Sequence, residues 1–69
     1  MTLYYPIERI LDKLIDETKV YYLVKWESYP ISQSTWEDGD ILLQDCKHIV
    51  DEYEISINEK VSNTITFRN

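Results

Sequence analysis

The chain has 69 residues, with seven basic and thirteen acidic side chains and a formal net charge of −6. A chain of this length forms one small domain and buries only about 60% of the surface that its unfolded form exposes, so we expect a ligand site in a surface groove rather than an internal cavity. The acidic surface disfavours nucleic acid and anionic lipid and favours cationic, Lys- or Arg-rich partners.

The cysteine content and the apolar runs exclude further classes. Cys46 is the single cysteine, so no disulfide can form within the chain, and no Cys/His spacing indicates a zinc site. No apolar run approaches the roughly 18 residues of a membrane span, and there is no signal-peptide pattern. We therefore expect an intracellular domain with no metal, no cofactor and no membrane partner.

Residues 6–15 and 19–26 predict two antiparallel strands. The first has apolar groups on both faces, which indicates a strand that is partly buried on both sides or strongly twisted. The second is rich in β-branched and aromatic residues. Val20, Tyr22, Val24 and Trp26 share one of its faces, and Tyr21, Leu23 and Lys25 share the other. A polar turn at residues 16–18 joins the two strands as a hairpin.

A loop at residues 27–34 leads to a short third strand at residues 35–37, which residues 38–40 are predicted to break. A helix follows, with Asp45 as its predicted N-cap. Its apolar stripe, spaced i, i+3, i+4, i+7 and i+11, consists of Cys46, Ile49, Val50, Tyr53 and Ile57.

Residues 59–69 are polar with scattered apolar groups, and they could extend the helix, pair as a strand or fray. Three strands alone leave one sheet face wet, so the helix stripe is expected to cover it. The predicted class is α+β: a small three-stranded antiparallel curved sheet, like an SH3-like partial barrel, packed against one C-terminal helix.

Three aromatic residues stand near the ends of the first two predicted strands. Trp26 and Tyr29 flank a tight turn, and Tyr5 precedes the first strand. If the fold brings Tyr5 beside the end of the second strand, three ring faces could surround a methylated ammonium and attract it by cation–π interaction, worth about 2 kcal/mol or more in a desolvated site. The alternative is that the rings pack into a small core, and spacing alone does not decide between the two.

Five motifs in register resemble those of the chromodomain family, over residues 4–54. Residues 5–12 (YPIERILD) look like the family's opening Y-x-V-E-K-I-L-D, and residues 22–26 (YLVKW) match Y-L-V-K-W. The other three are Ser28-Tyr29 where the family usually has Gly-Tyr, residues 35–37 (TWE), and Asp45-Cys46 followed by Ile49, Val50 and Tyr53, similar to D-C-x-x-L-I-x-x-Y.

The resemblance implies roles for particular residues. Tyr5, Trp26 and Tyr29 would form a methyl-lysine cage, with Gln33 beside it, and Trp36 would be a core residue of the third strand. A methylated peptide would add as a strand between residues 2–5 and 40–45, by β-augmentation. The predicted groove residues are Leu3, Tyr4, Ile7, Asp40, Asp45 and Cys46.

The sequence departs from the family pattern around these positions. Ser28 replaces a glycine, which constrains the turn if it needs a positive φ. Asp38 stands where proline is common, and residues 38–45 are about two residues longer than in heterochromatin-protein-type members, so that half of the peptide clamp is expected to be reshaped. Gln33 replaces an acid beside the cage, and Pro6 lacks an N–H for a peptide contact.

The resemblance predicts a non-enzymatic chromodomain at residues 3–57, followed by a C-terminal extension or tail at residues 58–69. Its expected partner is a histone tail carrying di- or trimethylated lysine, in the nucleus, on chromatin linked to heterochromatin and gene silencing. One alternative is a chromoshadow-like dimerisation module that self-associates through the helix or the tail. Another is an RNA-binding chromo-like barrel, against which the net charge of −6 argues.

Overall fold

The computed structural model describes the backbone of residues 6–66 and the side chains of residues 6–58. The strands form an antiparallel open, curved sheet in the order β1-β2-β3. In chain order the elements are β1 (Ile7–Asp16), β2 (Lys19–Trp26), one turn of 3-10 helix (Ile31–Gln33), β3 (Thr35–Asp38), α1 (Gly39–Asp45) and α2 (Lys47–Thr66). The predicted α+β class and its three-stranded sheet are confirmed, and α1 is a helix that the sequence analysis did not predict.

The predicted hairpin of β1 and β2 turns through two residues, Glu17 and Thr18, because Asp16 pairs with Lys19. Glu17 has a φ of 57°, in the left-handed region that residues other than glycine rarely occupy. The hairpin therefore closes tightly at the cost of some backbone strain at this residue.

β1 does not follow a strict two-residue alternation. Its register against β2 shifts between Ile7 and Arg9 and again between Ile10 and Asp12. Such bulges increase the local twist of a strand. Ile7 and Ile10 are consequently both buried, although three positions separate them. The apolar groups on both faces of the predicted strand reflect this irregularity.

The two faces of the sheet differ in what covers them. The register places on one face, called the inner face here, the residues Ile7, Ile10, Val20, Tyr22, Val24 and Trp26. The opposite, outer face carries Leu14, Tyr21, Leu23 and Trp36. Leu42 of α1 and Val50 of α2 join the buried inner-face residues and Cys46 in one core cluster. The predicted grouping of Val20, Tyr22, Val24 and Trp26 on one face of β2 is confirmed, and the structure shows that this face is the inner one, with Val24 fully buried.

Trp36 was expected in the core and is instead on the outer face, opposite Leu23 and 46% exposed, so that prediction is wrong. β3 alternates like any strand, and its inner-facing residues are Thr35 and Glu37. Because the helices cover the inner face alone among the described residues, the large ring at position 36 stays in contact with solvent.

α1 begins where β3 ends. The Asp38 carboxylate accepts hydrogen bonds from the backbone N–H of Asp40 at 2.8 Å and of Ile41 at 3.4 Å, which caps the helix. A Cβ on Gly39 would lie 2.7 Å from the carbonyl oxygen of Val20, so glycine permits the close approach of α1 to β2. Residues 38–40 thus end the strand as predicted and also start a helix.

α2 begins after Cys46, whose carbonyl oxygen accepts from the backbone N–H of Ile49 at 3.0 Å and of Val50 at 3.4 Å. Asp45 is the last residue of α1, so its prediction as the N-cap of the long helix is wrong. The physical reason is the cap at Asp38, which folds the segment before Asp45 into a helix of its own.

The predicted stripe of α2 packs on the sheet. Val50 is buried, and Ile49 and Tyr53 pack against the core. The rings of Tyr22 and Tyr53 meet edge to face, with centroids 5.9 Å apart. Beyond this stripe the backbone of residues 59–66 continues α2. None of the helices among residues 6–66 combines the length and the apolar character needed to cross a membrane.

A polar cluster also joins the sheet to α2. The Tyr22 hydroxyl donates to Glu54 Oε2 at 2.6 Å, and Lys13 Nζ lies 2.8 Å from the same oxygen. Burial, then the Glu54 hydrogen bond, raises the pKa of Tyr22 well above its usual value. Burial alone would raise the pKa of Glu54, but the hydrogen bonds from Lys13 and Tyr22 together hold it below its usual value.

Candidate functional site

Trp26 is the last residue of β2 and pairs with Ile7 at the start of β1. Its ring packs against the core cluster and remains half-buried, so one part of the indole stays open to solvent. The indole Nε1–H donates to Thr35 Oγ1 at 2.8 Å. The Thr35 hydroxyl in turn donates to Glu37 Oε2 at 2.7 Å. The ring is therefore held from both its apolar side and its polar edge.

The turn after Trp26 presents the second aromatic residue. The backbone N–H of Tyr29 donates to the Trp26 carbonyl at 3.2 Å, which closes a four-residue turn. Ser28 has a φ of 69°, so the turn does need a left-handed residue where Ser28 stands. The Tyr29 side chain is 55% exposed and contributes little to the core.

Of the predicted cage, the structure describes Trp26 and Tyr29, whereas Tyr5 lies outside the described residues, as do Leu3 and Tyr4. The nearest described residue is Pro6, whose carbonyl oxygen accepts from the backbone N–H of Glu27 at 2.8 Å. The chain thus enters the described fold directly beside the turn that carries Trp26 and Tyr29.

Gln33 is exposed and ends the 3-10 turn that follows Tyr29 and Pro30. Its backbone N–H donates to the Pro30 carbonyl oxygen at 3.0 Å. Gln33 therefore lies one short turn along the chain from the aromatic pair.

The remaining predicted groove residues fall into two groups. Ile7 and Cys46 are both 5% exposed and belong to the core cluster. Burial, and to a lesser degree the nearby Asp45 carboxylate, raises the pKa of the Cys46 thiol, which keeps it neutral. Asp40 and Asp45 are exposed near the two ends of α1. Because residues 40–45 are helical, their backbone is not extended as a strand, and the N–H groups of Asp40 and Ile41 are bonded to the Asp38 side chain.

Two ion pairs lie at opposite ends of β2, one of them beside Trp26. Lys25 Nζ lies 2.6 Å from Glu8 Oε1 and also donates to the Trp26 carbonyl at 2.9 Å. The hydrogen bond from Lys25 lowers the pKa of Glu8. At the other end, Lys19 Nζ donates a hydrogen bond to Asp38 Oδ2 at 2.8 Å, and this bond raises the pKa of Lys19.

Thr35 and Glu37 were not among the predicted site residues. A sequence signal for them exists, since both are polar residues at i and i+2 on the strand beside Trp26, and alternate residues of a strand share a face. That signal does not say which face is inner, and the wrong assignment of Trp36 to the core obscured it.

A concavity of about 340 Å³ lies between the bulged part of β1 and α2. It is lined by Arg9, Ile10, Leu11, Ile49, Glu52, Tyr53 and Ser56. Across the part of the chain that the structure describes, no group of three or more His, Cys, Asp or Glu side chains assembles in a way that would hold a metal ion.

Comparison with known proteins identifies the family. Residues 5–56 match the family model of the Chromo (chromatin organisation modifier) domain. The chain is 38% identical to Heterochromatin protein 1 of Drosophila melanogaster over 52 residues. This matched stretch covers 75% of this chain and 24% of that protein. It is 34% identical to M-phase phosphoprotein 8 of Homo sapiens over 61 residues. That matched stretch covers 88% of this chain and 7% of that protein.

A shorter match links the chain to the histone-lysine N-methyltransferase SUV39H2 of Gallus gallus, with 48% identity over 33 residues, or 48% of this chain and 8% of that protein. The chain spans about a quarter or less of the length of these relatives. The motifs, the three-stranded sheet with its packed helix and the family model agree, and the chain belongs to the chromodomain family.

Proposed function

We propose that this chain is a non-catalytic reader of methylated lysine on the tail of a core histone. The observation that carries the proposal is the arrangement at the end of β2, where a half-buried Trp26 ring and an exposed Tyr29 ring flank one hydrogen-bonded turn. Membership of the chromodomain family supports the wider role of a chromatin module.

Methyl-ammonium recognition follows from the chemistry of these rings. Aromatic faces carry negative quadrupole character and attract a cation whose hydration is weak. Trp26 supplies a face fixed by the core, and Tyr29 supplies a face free of core contacts. In our proposal Tyr5 is the third wall, and di- and trimethyl-lysine are the ligands.

We propose that the peptide backbone adds as a strand along residues 2–5, beside the place where Pro6 bonds to Glu27. On the other side, residues 40–45 form α1, so they meet the peptide through side chains unless the helix opens. Asp40 and Asp45 are exposed there and carry charge opposite to that of a histone tail. Ile7 and Cys46 would then form the floor of the groove.

The charge of the domain fits a cationic peptide. The net charge of −6 steers a Lys/Arg-rich tail toward the surface, and this contribution weakens as salt screens it. The same charge disfavours direct nucleic-acid binding. We accordingly place the protein in the nucleus on chromatin, as a module of heterochromatin or gene silencing, with residues 3–57 as the reading unit and residues 58–69 as its extension.

A chromoshadow-like dimerisation module is the alternative. Ile55 on α2 is 55% exposed, and in this alternative the helix of a second copy would cover it. Sedimentation of the chain across a range of concentrations measures this directly. A monomer at all concentrations would exclude the dimer, and a dimer that ignores methylated peptide would favour it.

The test of the reader is calorimetric titration of the chain with histone-tail peptides that carry zero to three methyl groups on each lysine. We expect binding to one or more di- or trimethylated peptides and at least tenfold weaker binding to the unmethylated peptide. Tyr29→Ala should remove this preference. Trp36→Ala is the matched control, since Trp36 is also an exposed aromatic residue but lies on the outer face.

The outcomes separate clearly. Equal affinity for methylated and unmethylated peptides would contradict the proposal. Loss of the preference in both variants would show that exposed aromatic residues matter only through general stability. Circular dichroism of each variant checks that the fold is retained.

A further inference from the structure

The indole of Trp26 is the first donor in a chain of two hydrogen bonds along the inner side of β2 and β3. Its Nε1–H donates to Thr35 Oγ1 at 2.8 Å, and Thr35 Oγ1 lies 2.7 Å from Glu37 Oε2. Cross-strand register explains the spacing, since Thr35 pairs with Val24 and Glu37 with Tyr22, two residues apart on the same face.

The direction of this chain is determined by the groups themselves. An indole N–H can only donate, and an ionised carboxylate can only accept. The Thr35 hydroxyl has one hydrogen atom. Its oxygen accepts a hydrogen bond from Trp26, and its O–H donates a hydrogen bond to Glu37. Glu37 therefore orients the Thr35 lone pair toward the indole, and the negative charge of the carboxylate strengthens both bonds.

We infer that Thr35, backed by Glu37, is a positioning residue for methyl-ammonium binding, acting through the ring of Trp26. The inference rests on the function proposed above and adds residues to that site. It assigns them an effect on the ring rather than a contact with the ligand.

Two physical effects follow. The χ2 torsion of an aromatic side chain has a broad minimum, so a bond at the ring edge selects the orientation of the ring face beside the turn. Donation from the N–H toward a carboxylate-backed acceptor also leaves more electron density on the indole. A ring face of higher electron density attracts a cation more strongly. Both effects favour a charged ligand held against Trp26.

The experiment compares two ligands of nearly the same shape. One is a histone-tail peptide with trimethyl-lysine, and the other carries the neutral analogue in which carbon replaces the ammonium nitrogen. The variants are Thr35→Val, which keeps a β-branched side chain without the hydroxyl, Thr35→Ser, which restores it, and Glu37→Gln, which keeps an acceptor without the charge.

We expect Thr35→Val to weaken binding of the trimethyl-lysine peptide by about three- to tenfold and binding of the neutral analogue by less than twofold. Thr35→Ser should remain within twofold of the unaltered chain, and Glu37→Gln should lie between. The bond is exposed to water, which keeps the expected effect moderate. An equal loss for both ligands would mean a merely structural role and would overturn the inference, as would no loss in Thr35→Val.

A spectroscopic measurement tests the bond without any ligand. The chain has two tryptophans, so Trp36→Phe leaves a single indole N–H signal, that of Trp26, in a proton–nitrogen spectrum. Thr35→Val in that background should move the signal and speed its exchange with solvent. An unmoved signal would overturn the inference.

The proposed function and the inference can fail separately. If the unaltered chain prefers neither di- nor trimethyl-lysine over lysine, the proposed function fails and the inference fails with it, whatever the indole signal shows. If that preference exists and survives Thr35→Val unchanged, the inference alone fails.

Discussion

The two tryptophans of this chain lie on neighbouring strands and face opposite sides of the sheet. Trp26 is on the inner face, where it packs against the core and its ring nitrogen donates a hydrogen bond. Trp36 is on the outer face and remains 46% exposed. Residue type does not distinguish them, and neither does β propensity. The difference arises because α1 and α2 both pack on one side of the sheet, so that a ring's role depends on which way its strand faces.

The largest expected effect is on stability at these two positions. Trp26→Ala should lower the free energy of unfolding by about 2–3 kcal/mol, since it removes a ring that partly fills the core. Trp36→Ala should cost about 1 kcal/mol, because much of that ring is already in water. Urea denaturation measures both. Equal losses would mean that the outer face is covered as well as the inner one.

The polar link between the inner face and α2 comes next. Tyr22→Phe removes the hydroxyl that donates to Glu54 at 2.6 Å and should cost about 1–2 kcal/mol. Tyr21→Phe is the matched control on the outer face, with an expected change below about 0.5 kcal/mol. Thermal melts of the two variants decide it. A larger loss in Tyr21→Phe would contradict the comparison of the faces.

The turns at the two ends of β2 should respond alike in stability and differently in function. Ser28→Gly and Glu17→Gly each replace a residue with positive φ by glycine and should raise stability by about 1 kcal/mol. Ser28→Gly also alters the turn between Trp26 and Tyr29, so it alone should change peptide affinity. Thermal melts measure the stability of both variants, and titrations measure their peptide affinity. A change of peptide affinity in Glu17→Gly would contradict the expected difference between the two turns.

The contacts of Glu54 with Tyr22 and Lys13 should also make the stability of the domain sensitive to acid. The folded-state pKa of Glu54 lies below its usual value of 4.5. The contribution is therefore present above that value and is lost as the pH falls through the folded-state pKa. Glu54→Gln should lower stability near neutral pH and reduce its decline in acid. A variant that loses stability in acid as steeply as the unaltered chain would contradict this.

The smallest effect is expected at Gln33, beside the proposed cage. A carboxylate accepts a hydrogen bond more strongly than an amide does, and trimethyl-lysine has no N–H to donate. Gln33→Glu should therefore strengthen dimethyl-lysine binding more than trimethyl-lysine binding, by less than about 1 kcal/mol for an exposed group. Titrating both peptides against both proteins gives the ratio, and an unchanged ratio would show that Gln33 faces solvent.

Much of the fold was predictable because local patterns were strong. The run of β-branched and aromatic residues predicted β2, and the stripe containing Val50 and Tyr53 predicted α2. The N-cap of α2 was misplaced because an Asp suits any helix start, whereas Asp45 ends α1, a separate helix that begins at the carboxylate cap of Asp38. The glycine that follows Asp38 was read as a breaker, whereas its role is close approach to β2.

The site was predictable in part for a similar reason. The turn from Trp26 to Tyr29 is local, and the positive φ of Ser28 agrees with the constraint inferred when a serine replaces glycine. The partners of Trp26 at Thr35 and Glu37 come from another strand. Their relation to Trp26 depends on register, which a single strand's pattern does not specify.

The sequence by itself determined the family, the two long strands, the packed stripe of α2 and the turn that presents two aromatic rings. Only the tertiary structure decided which tryptophan is held in the core, where the helices begin, and which side chains hold the Trp26 ring. The physical reason is that propensity and periodicity act between neighbours in the chain, whereas burial and hydrogen bonding depend on which elements meet. In a sheet with one covered face, that choice of face assigns each alternate residue its environment.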